Sequence, residues 1–350
     1  MRSPADPIRL ASAAAPASIS HSDRVVTYSP AYTIVPTYEC FNRCSYCNFR
    51  ADGAAPMLEL EAADERFQRL RALGDGAPIE ILILSGEVHP ESPRRPQWFQ
   101  RIHDLCQLAL ERGFLPHTNA GPLHPHEMAA LKQVNVSMGL MLEQVTPRLL
   151  DTVHRHSPSK VPAKRLAQLD LAGELQIPFT TGLLLGLGET SDDRRDTLEA
   201  IAQCHDRWGH IQEVILQPHS PGQQQAERGT AFDLDSLPEM VATARRILPE
   251  AIAIQIPPNL VDFNPGAPGR VDVLLACLEA GARDLGGLGP RDEVNPDYDH
   301  PTPERLAAIV RPQGWQLAPR LPVYPQFLAG LDAPLATAIA ATHPPHRTVH

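Results

Sequence analysis

Short, continuously apolar segments alternate with amphipathic stretches along this chain, and this alternation restricts the possible folds more than any other feature. Eight segments have the length and character of parallel strands buried on both faces: 33–36, 80–84, 115–118, 136–141, 179–185, 213–217, 253–256 and 284–288. Apolar residues recur at helical spacing in seven stretches between them: 61–73, 97–112, 126–132, 163–175, 192–208, 237–248 and 271–280. This alternation predicts an α/β fold, a (β/α)8 barrel of the TIM type, with an open doubly wound sheet as the alternative.

The composition is that of an ordinary globular protein. The chain has 350 residues, is 43% hydrophobic and carries a net charge of −10, which argues against nucleic acid and anionic membranes as partners. We predict a disordered lead over 1–26, a barrel over 27–322, and a C-terminal extension with a flexible tail over 323–350. The lead lacks the continuous apolar stretch of a signal peptide, so a cytoplasmic location is expected.

Three of the six cysteines lie within eight residues, in Cys40-Phe-Asn-Arg-Cys44-Ser-Tyr-Cys47, directly after the first predicted strand. Three thiolates on a short loop can each bind one iron of a 4Fe–4S cluster and leave the fourth iron open. Structural zinc is the alternative, but zinc sites usually take four protein ligands and a second cysteine pair is missing. The other three cysteines lie singly in helical patterns and are predicted to be buried structural thiols: Cys106, Cys204 and Cys277.

The cysteine loop, in which the aromatic Tyr46 precedes Cys47, closely resembles that of radical S-adenosylmethionine (SAM) enzymes. The resemblance implies that the open iron holds the amino and carboxylate groups of SAM. One electron from the cluster then cleaves SAM to methionine and a 5′-deoxyadenosyl radical. Gly86 and Glu87, which follow the second strand, resemble the element of these enzymes that recognises the methionine amino group; a simple turn is the alternative.

Further residues resemble SAM contacts in the same superfamily. The segment Gly182-Leu-Leu-Leu-Gly186-Leu-Gly-Glu189 matches a fifth-strand pattern whose small residues let adenine lie against the strand; close strand packing is the alternative. Arg165 resembles the arginine that pairs with the methionine carboxylate, a group that suits a planar guanidinium. Glu143 resembles a polar residue that contacts the ribose or the amino group. For the last two, an exposed helix arginine and a strand-end glutamate are the alternatives.

Longer strings resemble one family within that superfamily, the CofG family, which is the small subunit of 7,8-didemethyl-8-hydroxy-5-deazariboflavin (FO) synthase. These strings lie at 116–119, 135–143, 177–190, 209–217, 256–260, 282–289 and 293–296. The resemblance implies that a CofH-type partner joins a 4-hydroxybenzyl group to a ribitylated diaminouracil. The CofG-type enzyme then closes the third ring with release of ammonia. It also implies a reductant such as flavodoxin or ferredoxin, and leaves open whether the two subunits form a stable complex.

Polar residues at the strand ends are expected to contact this substrate. Asn119, Gln217 and Asn259, with His117 and His219, are placed after predicted strands, and Asp284 begins the eighth. The two histidines are our candidates for proton transfer, since histidine titrates near neutral pH. Two other hypotheses remain open from the residues. One is a related radical SAM enzyme, either of the CofH type or a menaquinone-pathway futalosine cyclase. The other is a non-catalytic iron–sulfur or zinc protein.

Overall fold

The computed structural model describes residues 24–51, 56–226, 229–261 and 270–342. Nearly all of the predicted lead therefore lies outside the described residues, as does the end of the predicted tail. Nine parallel strands are described: β1 Val25–Ile34, β2 Glu80–Leu84, β3 Leu115–Asn119, β4 Ser137–Gly139, β5 Phe179–Leu185, β6 Ile211–Pro218, β7 Ala253–Gln255, β8 Asp284–Leu288 and β9 Gln316–Pro319.

Helices follow the strands, and seven of those described lie in the stretches that the periodicity predicts. The described helices are α1 Leu60–Arg71, α2 Arg95–Glu111, α3 Pro125–Lys132, α4 Pro162–Glu174, α5 Ser191–Trp208, α6 Leu237–Ile247, α7 Pro258–Val261, α8 Val271–Ala280, α9 Pro303–Val310 and α10 Ala333–Thr342. The strand order runs from β2 through β8 to β1, and β1 also pairs with β2, which closes an eight-stranded barrel. The predicted (β/α)8 barrel is thus confirmed. It places the polar residues that follow the strands at one end.

Five of the eight predicted strands have different bounds in the structure; β3, β6 and β7 differ by one or two residues at an end, and β1 and β4 differ for reasons that the structure shows. β1 begins at Val25 rather than at residue 33. The sequence pattern missed the first part of this strand because that part is not continuously apolar. The strand bridges three neighbours, with Ala31 beside β2, Thr27 beside β8 and Val25 beside β9. β4 spans only Ser137–Gly139 rather than 136–141, because the chain leaves the regular ladder and turns to a left-handed conformation at Glu143 (φ 67°).

The chain after α9 folds onto the barrel at least as far as Thr342, so this covering part begins before the predicted extension at residue 323. β9 adds to β1 outside the barrel, and its side chains are exposed or half-buried, so it lacks the apolar run that would have predicted it. Leu335 and Ile339 of α10 pack with Val323 against Leu115 and Val136, which begin β3 and precede β4. This apolar cluster covers the end of the barrel opposite the loops that follow the strands.

The main core lies between the barrel and its helices, and the three single cysteines are buried there as predicted. None of the helices in the described part of the chain is both long enough and apolar enough to cross a membrane.

Buried histidines make the stability of the barrel sensitive to acid. Burial lowers the pKa of His210 to about 4, whereas an unfolded histidine has a pKa of about 6.5. The unfolded chain takes up this proton first, so stability present above the unfolded pKa is lost as the pH falls. At about pH 5 this one residue lowers the free energy of unfolding by about 2 kcal/mol. Between about pH 7 and pH 5 the free energy of unfolding should fall by about 2 kcal/mol less in His210→Leu than in the wild type. Urea unfolding at both pH values measures this difference. Equal losses in both proteins would contradict this.

Candidate active site

The cysteine loop lies over the end of the barrel at which the strands finish. Phe41 N donates to Glu87 O at 2.9 Å and Gly86 N donates to Thr37 O at 2.8 Å, which join the segment after β1 to the segment after β2. On its other side, Ser45 N donates to Val153 O at 3.1 Å. The three cysteines therefore face one cavity of about 300 Å³, which we call the cysteine chamber and which Cys40, Cys44, Cys47, Glu87, Glu143 and Arg165 line.

The cysteine side chains are free thiols in a shielded setting. Burial and the neighbouring Glu87 raise the pKa of Cys40 to about 11, and burial also raises the pKa of Cys44. Glu87 N donates to Cys40 Sγ and Arg50 N donates to Cys47 Sγ, each at 3.4 Å. Metal ligation requires thiolates, so a cation must supply the charge that stabilises them here.

No three His, Cys, Asp or Glu side chains converge on a single point that would hold one metal ion, within the ranges that the structure describes. A cubane cluster does not need such convergence, since each thiolate binds a different iron. The donor set and its spacing therefore fit a 4Fe–4S cluster.

Two buried ion pairs form the wall beside the cysteines. Arg165 Nη2 lies 2.8 Å from Glu87 Oε1, and Lys160 Nζ lies 2.5 Å from Glu143 Oε1. Burial by itself would raise the pKa of Glu143, but Lys160 and Arg165 outweigh it and hold the pKa below its usual value. A wall with two carboxylates and two cations can bind a ligand that carries charges of both signs.

The sequence analysis missed Lys160 and Asn42. Asn42 Nδ2 donates to Glu87 Oε2 at 2.8 Å and to Ser159 Oγ at 2.8 Å, so it ties the cysteine loop to the segment that carries Lys160. That segment precedes α4 and has no periodic pattern, so the sequence contains no signal that marks Lys160 as part of the site.

The two glycines predicted to let adenine approach lie behind the chamber wall rather than in its lining. A Cβ on Gly182 would lie 2.4 Å from Ile215 O, so its small size lets β5 and β6 approach closely. Gly186 takes a left-handed φ of 93°. Its backbone N and that of Leu187 each donate to Glu189 at 2.7 Å, so Glu189 stabilises the turn that follows β5.

Tyr46 lines the cysteine chamber, and its hydroxyl lies 3.0 Å from His154 Nε2. Burial lowers the pKa of His154 to about 4 and raises the pKa of Tyr46 well above its usual value. Both groups are therefore neutral near pH 7, and a single hydrogen bond joins them. Tyr46 also packs against an apolar cluster of Leu149, Leu184 and Leu187.

A second cavity of about 170 Å³ continues into the barrel. We call it the floor chamber; its polar lining includes His117, Thr180, Glu213, Gln255, Asn259 and Arg320. Five apolar residues line both chambers and form what we call the collar: Leu82, Leu84, Met141, Ile215 and Val294. Asn119 and Gln217, which were expected to contact substrate, also line both. A ligand can therefore extend from the cysteines to the floor.

His117 has a defined tautomer in the floor chamber. Its Nδ1 lies 2.7 Å from Ser137 Oγ, and that hydroxyl donates to Pro322 O at 2.7 Å, so Nδ1 must carry the hydrogen. Burial, with a smaller contribution from Arg320, lowers the pKa of His117 to about 3. The imidazole is therefore neutral near pH 7, and hydrogen-bond acceptance at Nε2 is favoured over the proton uptake expected from the sequence.

His219 belongs to the cysteine chamber rather than to the floor. Its Nδ1 lies 3.0 Å from Thr230 O, a group that only accepts, so Nδ1 is the protonated nitrogen. The Nε2 atom is buried and has no hydrogen-bond partner among the described residues. His219 thus presents one acceptor to whatever occupies this chamber.

Asp284, which was expected to contact substrate, lines neither chamber and is instead paired with Arg320. Arg320 donates to Asp284 Oδ2 at 2.6 Å and to Glu213 Oε1 at 2.8 Å. Tyr324 OH also donates to Glu213 Oε1 at 3.0 Å. These residues form a buried ionic network at the floor of the barrel.

Gly86 has a tight approach that predicts a strong effect of substitution. A Cβ there would lie 2.2 Å from Glu39 O, a backbone atom that cannot rotate away, so the cysteine loop would have to shift. We expect Gly86→Ala to cost about 1–3 kcal/mol of unfolding free energy and to reduce the iron content after reconstitution. Gly76 is the control, since a Cβ there meets nothing within 4 Å; Gly76→Ala should change stability by less than about 0.5 kcal/mol. Full iron content with unchanged stability in Gly86→Ala would contradict the close approach.

The comparisons with known proteins agree with this site. Residues 34–201 match the model of the Radical SAM superfamily. The chain is 64% identical over 316 residues to the 7,8-didemethyl-8-hydroxy-5-deazariboflavin synthase of Trichormus variabilis, with 90% of each chain covered. It is 62% identical over 325 residues to the protein of that name from Nostoc sp., with 93% of each chain covered.

Solved structures with low sequence identity share the fold. The FeFe-hydrogenase maturase HydG from Carboxydothermus hydrogenoformans matches with a TM-score of 0.66 at 17% identity, over 92% of this chain and 75% of that one. Methylornithine synthase (PylB) matches with a TM-score of 0.62 at 17% identity, over 85% of each chain.

Proposed function

This chain belongs to the 7,8-didemethyl-8-hydroxy-5-deazariboflavin synthase family of the radical SAM superfamily, and we propose from this premise that it closes the third ring of that deazaflavin. The proposed substrate is 5-amino-5-(4-hydroxybenzyl)-6-(D-ribitylimino)-5,6-dihydrouracil. The reaction is an ammonia-releasing cyclisation, a carbon–nitrogen lyase reaction that consumes SAM. The observation that carries the proposal is the cysteine chamber, in which three cysteines face two ion pairs, together with the polar floor chamber that adjoins it.

The cofactors of this superfamily are a 4Fe–4S cluster and SAM, and the residues present fit both. We assign Cys40, Cys44 and Cys47 as the cluster ligands, with the backbone amides of Glu87 and Arg50 as hydrogen-bond donors to two of the sulfurs. When bound, the cluster supplies one electron and SAM supplies the group that abstracts hydrogen from the substrate. The protein's part is to bind, orient and shield them.

The ion pairs of the cysteine chamber suit the zwitterionic end of SAM. Glu87 and Glu143 can accept from its ammonium group, while Lys160 and Arg165 can donate to its carboxylate. Arg165 is already oriented, because Nη1 donates to Met141 O at 2.8 Å. Tyr46 packs beside this region, and Gly86, Gly182 and Gly186 give the surrounding backbone the close approaches that it needs.

Loops from three strands enclose the site and limit the access of water. Asn48 of the cysteine loop donates to Asp297 Oδ2 at 3.1 Å, and Gln223 N of the loop after β6 donates to the same oxygen at 2.8 Å. Tyr298 OH donates to Pro221 O at 2.8 Å. These contacts support a closed chamber, in which a reactive intermediate is protected from solvent and the two rings of the substrate are held in register.

His219 is our stronger candidate for moving a proton, since it lines the chamber that holds the cysteines and its Nε2 is a buried acceptor with no partner among the described residues. His117 is the weaker candidate, because its pKa of about 3 disfavours proton uptake. A CofH-type partner that supplies the adduct, and a flavodoxin or ferredoxin that supplies electrons, complete the proposal. The partner enzyme and the electron donor would meet this chain in the cytoplasm, the location expected for it.

One assay tests the proposal against its alternatives. The cluster is reconstituted without air, and reductant, SAM and the tyrosine–diaminouracil adduct are added. We expect fluorescent deazaflavin, 5′-deoxyadenosine and ammonia. Deoxyadenosine without deazaflavin would overturn the assigned reaction and favour a CofH-type or menaquinone-pathway enzyme. An intact cluster without SAM cleavage would favour a non-catalytic protein.

A further inference from the structure

The two connected chambers differ in chemistry, and this difference bears on how a ligand lies in them. The cysteine chamber holds the thiols and two balanced ion pairs, whereas the floor chamber is lined mainly by strand side chains with amide, imidazole and carboxyl groups. The apolar collar lies between them. A ligand with one polar half and one aromatic half therefore has a preferred direction.

Asn259 lines the floor chamber and carries a buried acceptor that no described residue uses. Its side chain is fully buried, and Nδ2 donates to Asp292 Oδ2 at 2.8 Å and to Tyr298 O at 3.2 Å. A carboxylate and a carbonyl both accept, so this orientation of the amide is the one that satisfies its donors. Oδ1 then has no partner among the described residues. A buried acceptor of this kind is costly unless a ligand or water donates to it.

His117 presents a second acceptor. The chain of hydrogen bonds through Ser137 to Pro322 places the hydrogen on Nδ1, so Nε2 has a free lone pair. Gly139 lies at the tip of the ring, where a Cβ would come within 2.9 Å of Nε2. The absence of a side chain at Gly139 leaves this nitrogen open to the chamber.

The charge of the floor chamber argues against an anionic ligand. Among the described residues that line it, the carboxyl groups are those of Glu80, Glu213, Asp292 and Glu293, and the one guanidinium is that of Arg320. Arg320 is already bound to Glu213 and Asp284. A phosphate would be desolvated there beside carboxyl groups, and the guanidinium is already paired.

We propose that the floor chamber binds the ribitylated pyrimidine half of the substrate in its unphosphorylated form, and that Asn259 Oδ1 and His117 Nε2 accept hydrogen bonds from its N–H and O–H groups. The hydroxybenzyl half then lies in the collar, on the side of the cysteines. This inference rests on the proposed function for the identity of the substrate. It adds which half occupies which chamber and which residues select the polyol over its phosphate.

Binding of fragments to the full chain tests this without turnover. The protein is reconstituted with its cluster, saturated with SAM and kept without reductant, and titrated in a calorimeter. The probes are 5-amino-6-(D-ribitylamino)uracil, its 5′-phosphate, and 4-methylphenol as the aromatic half. We expect the phosphate to bind at least about tenfold more weakly than the unphosphorylated compound.

The variants separate the two acceptors from general damage. Asn259→Ala and His117→Leu should each lower the affinity for the ribityl compound about tenfold. The affinity for 4-methylphenol should stay unchanged in both. His117→Gln keeps an acceptor near the same place and should restore most of the affinity. His210→Leu is the matched control, since His210 is buried but does not line either chamber, and it should bind all three probes as the wild type does.

Several results would overturn the proposal: unchanged ribityl affinity in both Asn259→Ala and His117→Leu, equal binding of the phosphate, or weakened binding of 4-methylphenol alone. If Asn259→Ala fails to fold, His117→Leu, His117→Gln and the phosphate comparison still decide. Failure of the proposed function is a separate result, because it appears as absent deazaflavin in wild-type turnover whatever the fragments do.

Discussion

Replacement of Cys44 by alanine is expected to abolish cluster binding and deazaflavin formation while the barrel stays folded. Cys44 is one of three thiols that face the cysteine chamber, and no other cysteine lies in that lining. With two ligands left, the cluster loses one of its three anchored irons. The loop itself remains joined to the body of the protein by backbone hydrogen bonds of Phe41 and Ser45. The measurements are iron content, visible absorption after reconstitution, and far-ultraviolet circular dichroism.

Cys277→Ala is the matched control for that experiment. Cys277 is also a buried thiol, but it lies in α8 within the main core and away from both chambers. This variant should bind a full cluster and show only a modest loss of stability from the small cavity. Full cluster occupancy in Cys44→Ala would refute the ligand assignment. Loss of the cluster in Cys277→Ala would show that general destabilisation, and not ligation, explains the result.

Replacement of Arg320 by methionine is expected to cause the largest loss of stability. The guanidinium is buried and bound to Asp284 and Glu213, so its removal leaves two carboxyl groups in the barrel without their cation. Breaking a buried pair by removing one partner typically costs about 3–5 kcal/mol, a large part of the total stability of a domain. Urea unfolding of wild type and variant measures the difference.

The loss of unfolding free energy in Arg320→Met should grow as the pH rises. In the wild type, burial would raise the pKa of Asp284, but Arg320 outweighs it and lowers the pKa. Burial already raises the pKa of Glu213 to about 8 despite Arg320. Without the guanidinium both acids favour the protonated form in the folded state, so the folded state binds more protons than the unfolded state above the unfolded pKa. The variant should therefore lose stability as the pH rises, with a smaller deficit near pH 5 than near pH 8.

Arg112→Met is the control for the loss of one positive charge. Arg112 is half-exposed and pairs with Asp64 on the surface, where solvent screens the interaction. Its replacement should have little effect at either pH. An Arg320→Met variant as stable as Arg112→Met would show that the buried network contributes little to folding.

The local elements of this protein follow from patterns in the sequence. β5, β8 and α8 have the predicted bounds, because continuous apolar strands and a regular helical stripe are readable without knowledge of their neighbours. The cysteine loop could be recognised in the same way, since its three ligands lie within eight residues. The first and fourth strands were misjudged because their extent depends on pairing with distant segments.

The sequence by itself determined the alternating architecture, the spacing of the three clustered cysteines and the positions of Glu87, Glu143 and Arg165 at the ends of elements. Only the tertiary structure decided how these residues meet. Asn42 contacts Ser159 across 117 positions, and Arg320 reaches Glu213 across 107. Contacts over such separations depend on barrel closure and on the chain after α9 covering one end, and no local pattern encodes them. For the same reason the tautomer of His117 and the unused acceptor of Asn259 became visible only in the folded chain.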